Sequence, residues 1–222
     1  MLTRIAVVVP AHDEEQLLPA CLDALREASR RAPLPVDVLV VLDSCADGSA
    51  RIAAEAGVRT MEVQARNAGQ ARAAGAAAML ADDGGNTWLA CTDADSRVSQ
   101  DWLVEQLRLA EAGADVVTGV VDVDDWSEWP PSTVSAYRDA YRRGIRGEQH
   151  AHVHGANLGL TGDAYRRAGG FRPVAVGEDQ ALVLAAADAG LRVVGSTRVR
   201  VLTSARRDAR AADGFSGYLH AL

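Results

Sequence analysis

The chain has 222 residues, 48% of them hydrophobic but only 5% aromatic, and carries a formal net charge of −7. That length suits one domain, or one domain with a lobe attached, and the apolar content suffices for a full core. The acidic balance argues against a nucleic-acid partner held by bulk electrostatics, and no run of about 18 apolar residues suggests a transmembrane span. Cys21, Cys45 and Cys91 are too widely spaced for a disulfide framework or a zinc pattern. The first residues run straight into a strand without a signal-peptide form, so a cytoplasmic protein is expected.

Residues 5–9 form a short apolar run ended by Pro10, the pattern of a strand buried on both faces. Residues 13–31 carry Leu17, Leu18, Cys21, Leu22 and Leu25 at helical spacing, and Pro33 and Pro35 stop that helix. A second strand over 36–42 stops at Asp43. A helix opens at Asp47-Gly48-Ser49 and ends near Gly57, and a third strand covers 58–63. An Ala-rich helix over 67–80 is broken by Asp82-Asp83-Gly84-Gly85, and the run Trp88 to Thr92 leads into Asp93-Ala94-Asp95. This β-α alternation predicts a mostly parallel sheet with helices on both faces, continued by a helix over 100–112 and a strand over 115–121. The composition then shifts to an acidic stretch with Trp126 and Trp129. A helix over 132–147 brings Tyr137 and Tyr141 to one face, with Arg138, Arg142, Arg143 and Arg146 nearby. His150, His152 and His154 alternate, which puts them on one side of an extended segment. Helices over 162–168 and 178–189 and a strand over 191–202 complete the chain, and the tail from 206 is weakly patterned.

The chemistry concentrates where strands end. The first strand leads into His12-Asp13-Glu14-Glu15, the second into Asp43-Ser44, and the fourth into Asp93-Ala94-Asp95. In an open α/β sheet the ligand crevice lies outside these carboxyl ends. Two acids one residue apart there suit a divalent cation holding a phosphorylated ligand. Helix capping is the plain alternative for Asp13 and Glu14, and a solvated turn for the Asp-x-Asp.

Four segments in order carry a family resemblance: Val8 to Glu15, Leu42 to Ser49, Asp93-Ala94-Asp95 and Gly177-Glu178-Asp179. Over about residues 4–205 the chain resembles the family 2 glycosyltransferases, inverting enzymes with the GT-A fold. Asn67-Ala68-Gly69 with Arg72 resembles a further segment of that family. Gly155-Ala156-Asn157-Leu158-Gly159, followed by Gly169-Gly170-Phe171, resembles its acceptor-side segment. The resemblance implies one GT-A domain, with residues 1–121 as the nucleotide-sugar half and 122–222 as the acceptor and catalytic half. It places Pro10, Glu14 and Asp43 at the nucleoside and Arg72 near the nucleotide. Asp95, with Asp93, falls at a Mg²⁺ or Mn²⁺ ion, and Asp93 is also placed at the ribose or sugar. Asn157 and Glu178 belong to the substrate-binding set, and Asp179 is the general base. The donor is a nucleoside-diphosphate sugar, most commonly a UDP-sugar, and the acceptor is not readable.

The chain departs from the family pattern in two places. After the second strand it has Leu42-Asp43-Ser44-Cys45, where relatives often have Asp-Asp-Gly-Ser. After the last strand it has Thr203-Ser204-Ala205-Arg206-Arg207, where many relatives supply a metal-binding His. Arg206 and Arg207 could instead reach the diphosphate. His150, His152 and His154 are weak metal candidates, since they lack the spacing of a known zinc motif; His152 and His154 suit an acceptor pocket better. Trp126 and Trp129 suit a sugar platform or, equally, lobe packing or a homodimer contact. Two other readings compete. A non-catalytic nucleotide-sugar-binding protein could use the same fold. An Asp-x-Asp phosphohydrolase of the haloacid-dehalogenase type would place its motif near the N-terminus, whereas here it lies at 93–95. A dinucleotide-binding oxidoreductase is disfavoured because the first strand lacks Gly-x-Gly-x-x-Gly, and a sugar nucleotidyltransferase because no Gly-rich basic loop follows it.

Overall fold

The computed structural model describes residues 1–81, 85–174, 176–207 and 215–222. The helix break read at 82–84 and part of the tail lie outside these residues. The apolar runs form the strands β1 (Arg4–Ala11), β2 (Val36–Asp43), β3 (Arg59–Val63) and β4 (Thr87–Cys91), and the alternating segments form α1 (Leu18–Arg31), α2 (Ser49–Glu55) and α3 (Ala68–Leu80). Further along come β5 (Ser96–Val98), α4 (Trp102–Glu111), β6 (Val116–Val123), α5 (Pro131–Arg143), and a two-strand hairpin of β7 (Ile145–Arg146) and β8 (Gln149–His150). A 3-10 turn at Gly155–Asn157 leads into β9 (Leu158–Thr161), then α6 (Gly162–Arg167), α7 (Glu178–Asp188), β10 (Val193–Thr203) and α8 (Phe215–His220).

One eight-stranded sheet of order β3-β2-β1-β4-β9-β6-β10-β5 runs through the molecule, making it a single α/β domain. β1 pairs in parallel with β2 and β4, β2 with β3, and β6 with β10. β9 runs antiparallel between β4 and β6, and β5 antiparallel along β10. The sequence pattern anticipates neither β5 nor β9 as a strand. They have three and four residues, and β9 contains Gly159, so period and propensity are both too weak to mark them.

Both faces of the sheet are covered, as the continuous apolar strands require. Ile5, Val7 and Val9 meet one layer, which includes Leu18, Cys21, Leu22 and Leu25 of α1 and Trp102, Leu103 and Leu107 of α4. Ala6 and Val8 meet the other, with Ala71, Ala76 and Met79 of α3 and Leu182, Val183 and Ala186 of α7. Gly75 sets the distance of α3: a Cβ there would lie 2.5 Å from Val8 Cγ1 and 2.8 Å from Val41 Cγ2. A separate small core of Trp129, Tyr137, Ala205 and Leu219, flanked by Trp126, Val134 and Tyr141, joins α5 and α8 to the segment after β10.

α1 starts at Leu18, five residues later than the pattern suggests. Residues 12–17 instead form turns, with Asp13 in the left-handed region at φ 52°. Their polar groups are held by the loop after β2: Glu14 N–H donates to Ser49 Oγ at 2.8 Å and Glu15 N–H to Asp47 Oδ2 at 2.9 Å.

Candidate active site

The carboxyl ends of β1, β2 and β4 open on one crevice, and the N-terminus of α7 reaches it through the contact of Glu178 with Arg72. Among the described residues, three non-glycine residues have positive φ: Asp13 at 52°, Ser44 at 53° and Arg66 at 46°. All three lie on the loops after β1, β2 and β3. Strain of this kind is held in place only where the surroundings demand it, and it gathers at ligand sites.

Arg72 projects from α3 and is only 4% exposed. It therefore does not lie on a solvated helix face. Its Nη1 donates to Glu178 Oε1 and its Nη2 to Asp93 Oδ1. Burial opposes its charge, but Asp93 and Glu178 outweigh that and hold the guanidinium protonated. The contact ties β4 to α7 across the crevice. Arg72 Nε is buried with no partner among the described residues. The guanidinium packs against bare backbone, since a Cβ on Gly155 would lie 2.7 Å from Arg72 Cζ.

Asp95 is partly exposed, at 21% of its side chain. Thr203 Oγ1 of β10 donates to its Oδ1 at 3.4 Å and in turn accepts from Ser96 Oγ at 2.8 Å. Burial, then the nearby charge of Asp93, push the Asp95 carboxyl up to about 6, against the pull of Arg206. Glu14 is buried at the end of β1 and receives both nitrogens of the Arg206 fork, one at 2.7 Å. Glu14, Asp93, Asp95 and Glu178 thus face two cations, Arg72 and Arg206. Oxygen donors carrying surplus negative charge fit a hard divalent cation such as Mg²⁺ or Mn²⁺. A second group, Asp13, Cys45 and Asp47, brings its ligand atoms within 4.8 Å of one another. There Asp13 Oδ1 already accepts from Ala46 N–H at 2.7 Å, and Asp47 from Glu15 and Ser49 N–H groups.

Asp43 lies at the end of β2 and is 3% exposed. Its carboxylate accepts from the backbone N–H groups of Ala65, Arg66 and Asn67 at 2.7–2.8 Å and from Ser44 Oγ at 3.1 Å. Burial works against its charge, but those donors prevail and hold the carboxyl below its usual range. In this conformation its acceptor sites are taken by the loop they shape. Pro10 is half-buried at the end of β1, beside Val41 of β2.

At the start of α7 two neighbouring acids have different surroundings. Gly177, at φ 81°, turns the chain into the helix. Glu178 is buried against Arg72, whereas Asp179 is half-buried. Asp179 Oδ2 accepts from Gly155 N–H at 2.6 Å, and its Oδ1 from the Gln180 N–H at 2.7 Å. Asn157 stands apart from the crevice. It is fully buried, its Oδ1 accepting from Trp102 Nε1 at 2.9 Å and its Nδ2 donating to the Val120 and Val199 carbonyls. Its amide locks the 3-10 turn to β6 and β10, which places it in the scaffold beneath the site.

The three histidines do lie on one side of their segment, and they stack instead of converging. His150–His152 and His152–His154 centroids are 5.7 and 6.0 Å apart, and Tyr141 lies 3.9 Å from His152 in parallel. Their nitrogens are engaged: His150 Nε2 with the Thr118 carbonyl, His152 Nε2 with the Tyr141 carbonyl, and His154 Nε2 with the Tyr141 hydroxyl. Trp129 is buried and donates to the Ala205 carbonyl, while Trp126 lies over Tyr137 at 5.2 Å. Both also line a groove with Val134, Arg138 and Arg142 of α5. The sequence singles out both Arg206 and Glu14 but not their pairing, because it places Glu14 in a helix that in the structure starts only at Leu18.

No relative matches among curated proteins. Among solved structures, Staphylococcus aureus TarS residues 1–349 in complex with UDP-GlcNAc superposes with a TM-score of 0.72 at 12% identity, covering 96% of this chain and 62% of that one. The mannosyltransferase PcManGT from Pyrobaculum calidifontis, in complex with GDP-Man and Mn²⁺, gives 0.68 at 20% identity, covering 95% and 59%. The chain thus spans about 60% of the length of these structures and shares their GT-A fold. No helix among the described residues is long and apolar enough to cross a membrane. The sequence profile described as Glycosyl transferase family 2 matches residues 6–168, so with this sheet and this acidic crevice the chain belongs to that family.

Proposed function

We propose that the protein transfers a sugar from a nucleoside-diphosphate sugar to an acceptor hydroxyl, with inversion at the anomeric carbon. The observation that carries this is the gathering of Glu14, Asp93, Asp95, Arg72 and Arg206 at the strand ends, with Arg72 tying the cluster to Glu178, the neighbour of Asp179 at the start of α7. Asp95, with Asp93, would hold Mg²⁺ or Mn²⁺. The bound ion would supply charge neutralisation for the departing diphosphate. Asp93 is fixed by Arg72, and Arg72 in turn depends on Glu178, so both arginine partners keep the donor side rigid. Asp43 acts by folding the 65–67 loop around the nucleoside end, beside Pro10 and Glu14. A UDP-sugar is the first donor to test. Residues 1–121 form the donor half and 122–222 the acceptor half. TarS and PcManGT were captured with UDP-GlcNAc and with GDP-Man and Mn²⁺, which supports this class of donor here.

In the transfer, the acceptor oxygen attacks the anomeric carbon as the bond to the diphosphate breaks, and Asp179 takes the hydroxyl proton. Asp179 suits that duty better than Glu178. Glu178 is buried and neutralised by Arg72, whereas Asp179 is half-exposed and keeps lone pairs beyond its two N–H donors. The test is Asp179→Asn, read by donor binding and by transfer or slow donor hydrolysis. The expected result is unchanged nucleotide affinity with turnover reduced at least ~10²-fold, the scale of a lost general base. Unchanged turnover would remove Asp179 from the role. Nucleotide binding with no transfer or hydrolysis by the unmodified protein would favour a non-catalytic binding protein.

A further inference from the structure

Arg206 enters the crevice from the segment just past β10, and its guanidinium spans two strand ends. Nη1 donates to Glu14 Oε2 at 2.7 Å, and Nη2 donates to Glu14 Oε1 while lying 3.5 Å from Asp95 Oδ2. One nitrogen thus faces the carboxylates of both β1 and β4 loops. The backbone that presents it is anchored on each side. The Ala205 carbonyl accepts from Trp129 Nε1, Arg207 N–H donates to Glu128 Oε2 at 3.0 Å, and the Arg207 guanidinium lies 5.2 Å from the Trp129 ring centre. A long side chain on a pinned backbone can change partners without refolding its surroundings.

We propose that Arg206 stands in for the metal in the donor-free protein: its guanidinium, anchored on Glu14, and the divalent cation are alternative partners of Asp95. When the cation takes Asp95 with Asp93, Arg206 turns to the donor's diphosphate. This rests on the reading of the crevice as a donor site. A doubly charged ion on Asp95 Oδ2 would lie within a few ångströms of Nη2, and like charges that close repel strongly in a half-buried setting. Displacing the guanidinium with nothing to receive it would cost the ion much of its affinity. A diphosphate offers that receiver, because the planar guanidinium fork matches phosphate oxygens. The charges agree. With both arginines in place the four carboxylates leave a surplus of two negative charges; with Arg206 turned to the donor the surplus is three, and the cation reduces it to one. Cation and nucleotide should therefore bind cooperatively, each weakly without the other.

Calorimetry would test this by titrating Mn²⁺ alone, UDP alone, and UDP in saturating Mn²⁺ into the unmodified protein, Arg206→Ala and Arg206→Gln. Both variants should bind Mn²⁺ alone about tenfold more tightly than the unmodified protein, since each lacks the competing cation. Both should bind UDP in saturating Mn²⁺ more weakly. Equal or weaker Mn²⁺ binding by the variants would overturn the proposal. Arg206→Gln keeps a hydrogen-bonding side chain beside Glu14 should the alanine variant fail to fold. In the unmodified protein, arginine Nε NMR should show the Arg206 resonance shifting when Mg²⁺ and UDP are added together, and an unmoved resonance would also overturn it. If neither UDP nor GDP binds the unmodified protein, with or without Mn²⁺, the donor-site reading itself fails. UDP binding with unchanged Mn²⁺ affinity in the variants would remove only the role of Arg206.

Discussion

An imidazole surrounded by other imidazoles has little reason to take a proton. Burial, then the charges of His152 and His150, push the His154 pKa down to about 4, against a small upward pull from Asp93. His150 is shifted the same way by burial and by His152. In the unfolded chain His154 titrates near 6.5. The folded state therefore binds fewer protons between those values. The stability this gives is present in full above about 6.5 and is lost as pH falls through about 4, an effect of roughly 3 kcal/mol at most. Urea unfolding at pH steps from 7 to 4.5 should show a steeper loss for the unmodified protein than for His154→Gln. Parallel curves would show that His154 titrates normally. The alternation at 150, 152 and 154 was readable because a strand has period two. The stacking was not, because its key member, Tyr141, comes from a helix and sequence spacing cannot align the two.

Elements with regular periods were the legible ones, and those defined by pairing partners were not. β1, β2 and β4 announce themselves as continuous apolar runs, and α1 by its buried stripe. β9 becomes a strand only because β4 and β6 leave a gap that its four residues fill, in register Trp88↔Thr161 and Val116↔Leu160. The same logic separates Asn157 from Asp179. Each sits in a motif of the right form, but the 3-10 turn before β9 sends the Asn157 amide down into the sheet and the Gly155 N–H up to Asp179. This turn therefore couples the two halves of the site. Gly155→Ala would place a Cβ 2.7–2.9 Å from three atoms of the Arg72 guanidinium, which is held on both sides by Asp93 and Glu178 and has little room to yield. The expected cost is about 1–3 kcal/mol in urea unfolding, the usual penalty for overpacking. Nucleotide affinity should fall as well, because Asp93 moves with Arg72. A variant with unchanged stability and unchanged nucleotide binding would show that the Arg72 cradle is slack.

At the scale of the whole molecule, the crevice joins elements distant in sequence. β1 supplies Glu14, β4 the two aspartates, α3 Arg72, α7 Glu178 and Asp179, and the segment after β10 Arg206. A ligand bridging these elements must stabilise the entire fold, since it binds the assembled state and not the unfolded chain. At 100-fold excess over its Kd such a ligand contributes about 2.7 kcal/mol, and in a domain of this size each kcal/mol raises Tm by about 2–4 °C. UDP or GDP with Mn²⁺ should therefore raise Tm by about 5–10 °C. Mn²⁺ alone should do far less, because the Arg206 guanidinium already lies against Asp95 and repels the ion. The nucleotide alone should also do little, because it meets surplus carboxylate charge. A thermal-shift series over both nucleotides, with Mn²⁺ and with chelator, separates these cases and ranks the donor bases in one experiment. Equal shifts in chelator and in Mn²⁺ would mean that the protein's own arginines neutralise the diphosphate and that the acidic pair has no need of a metal.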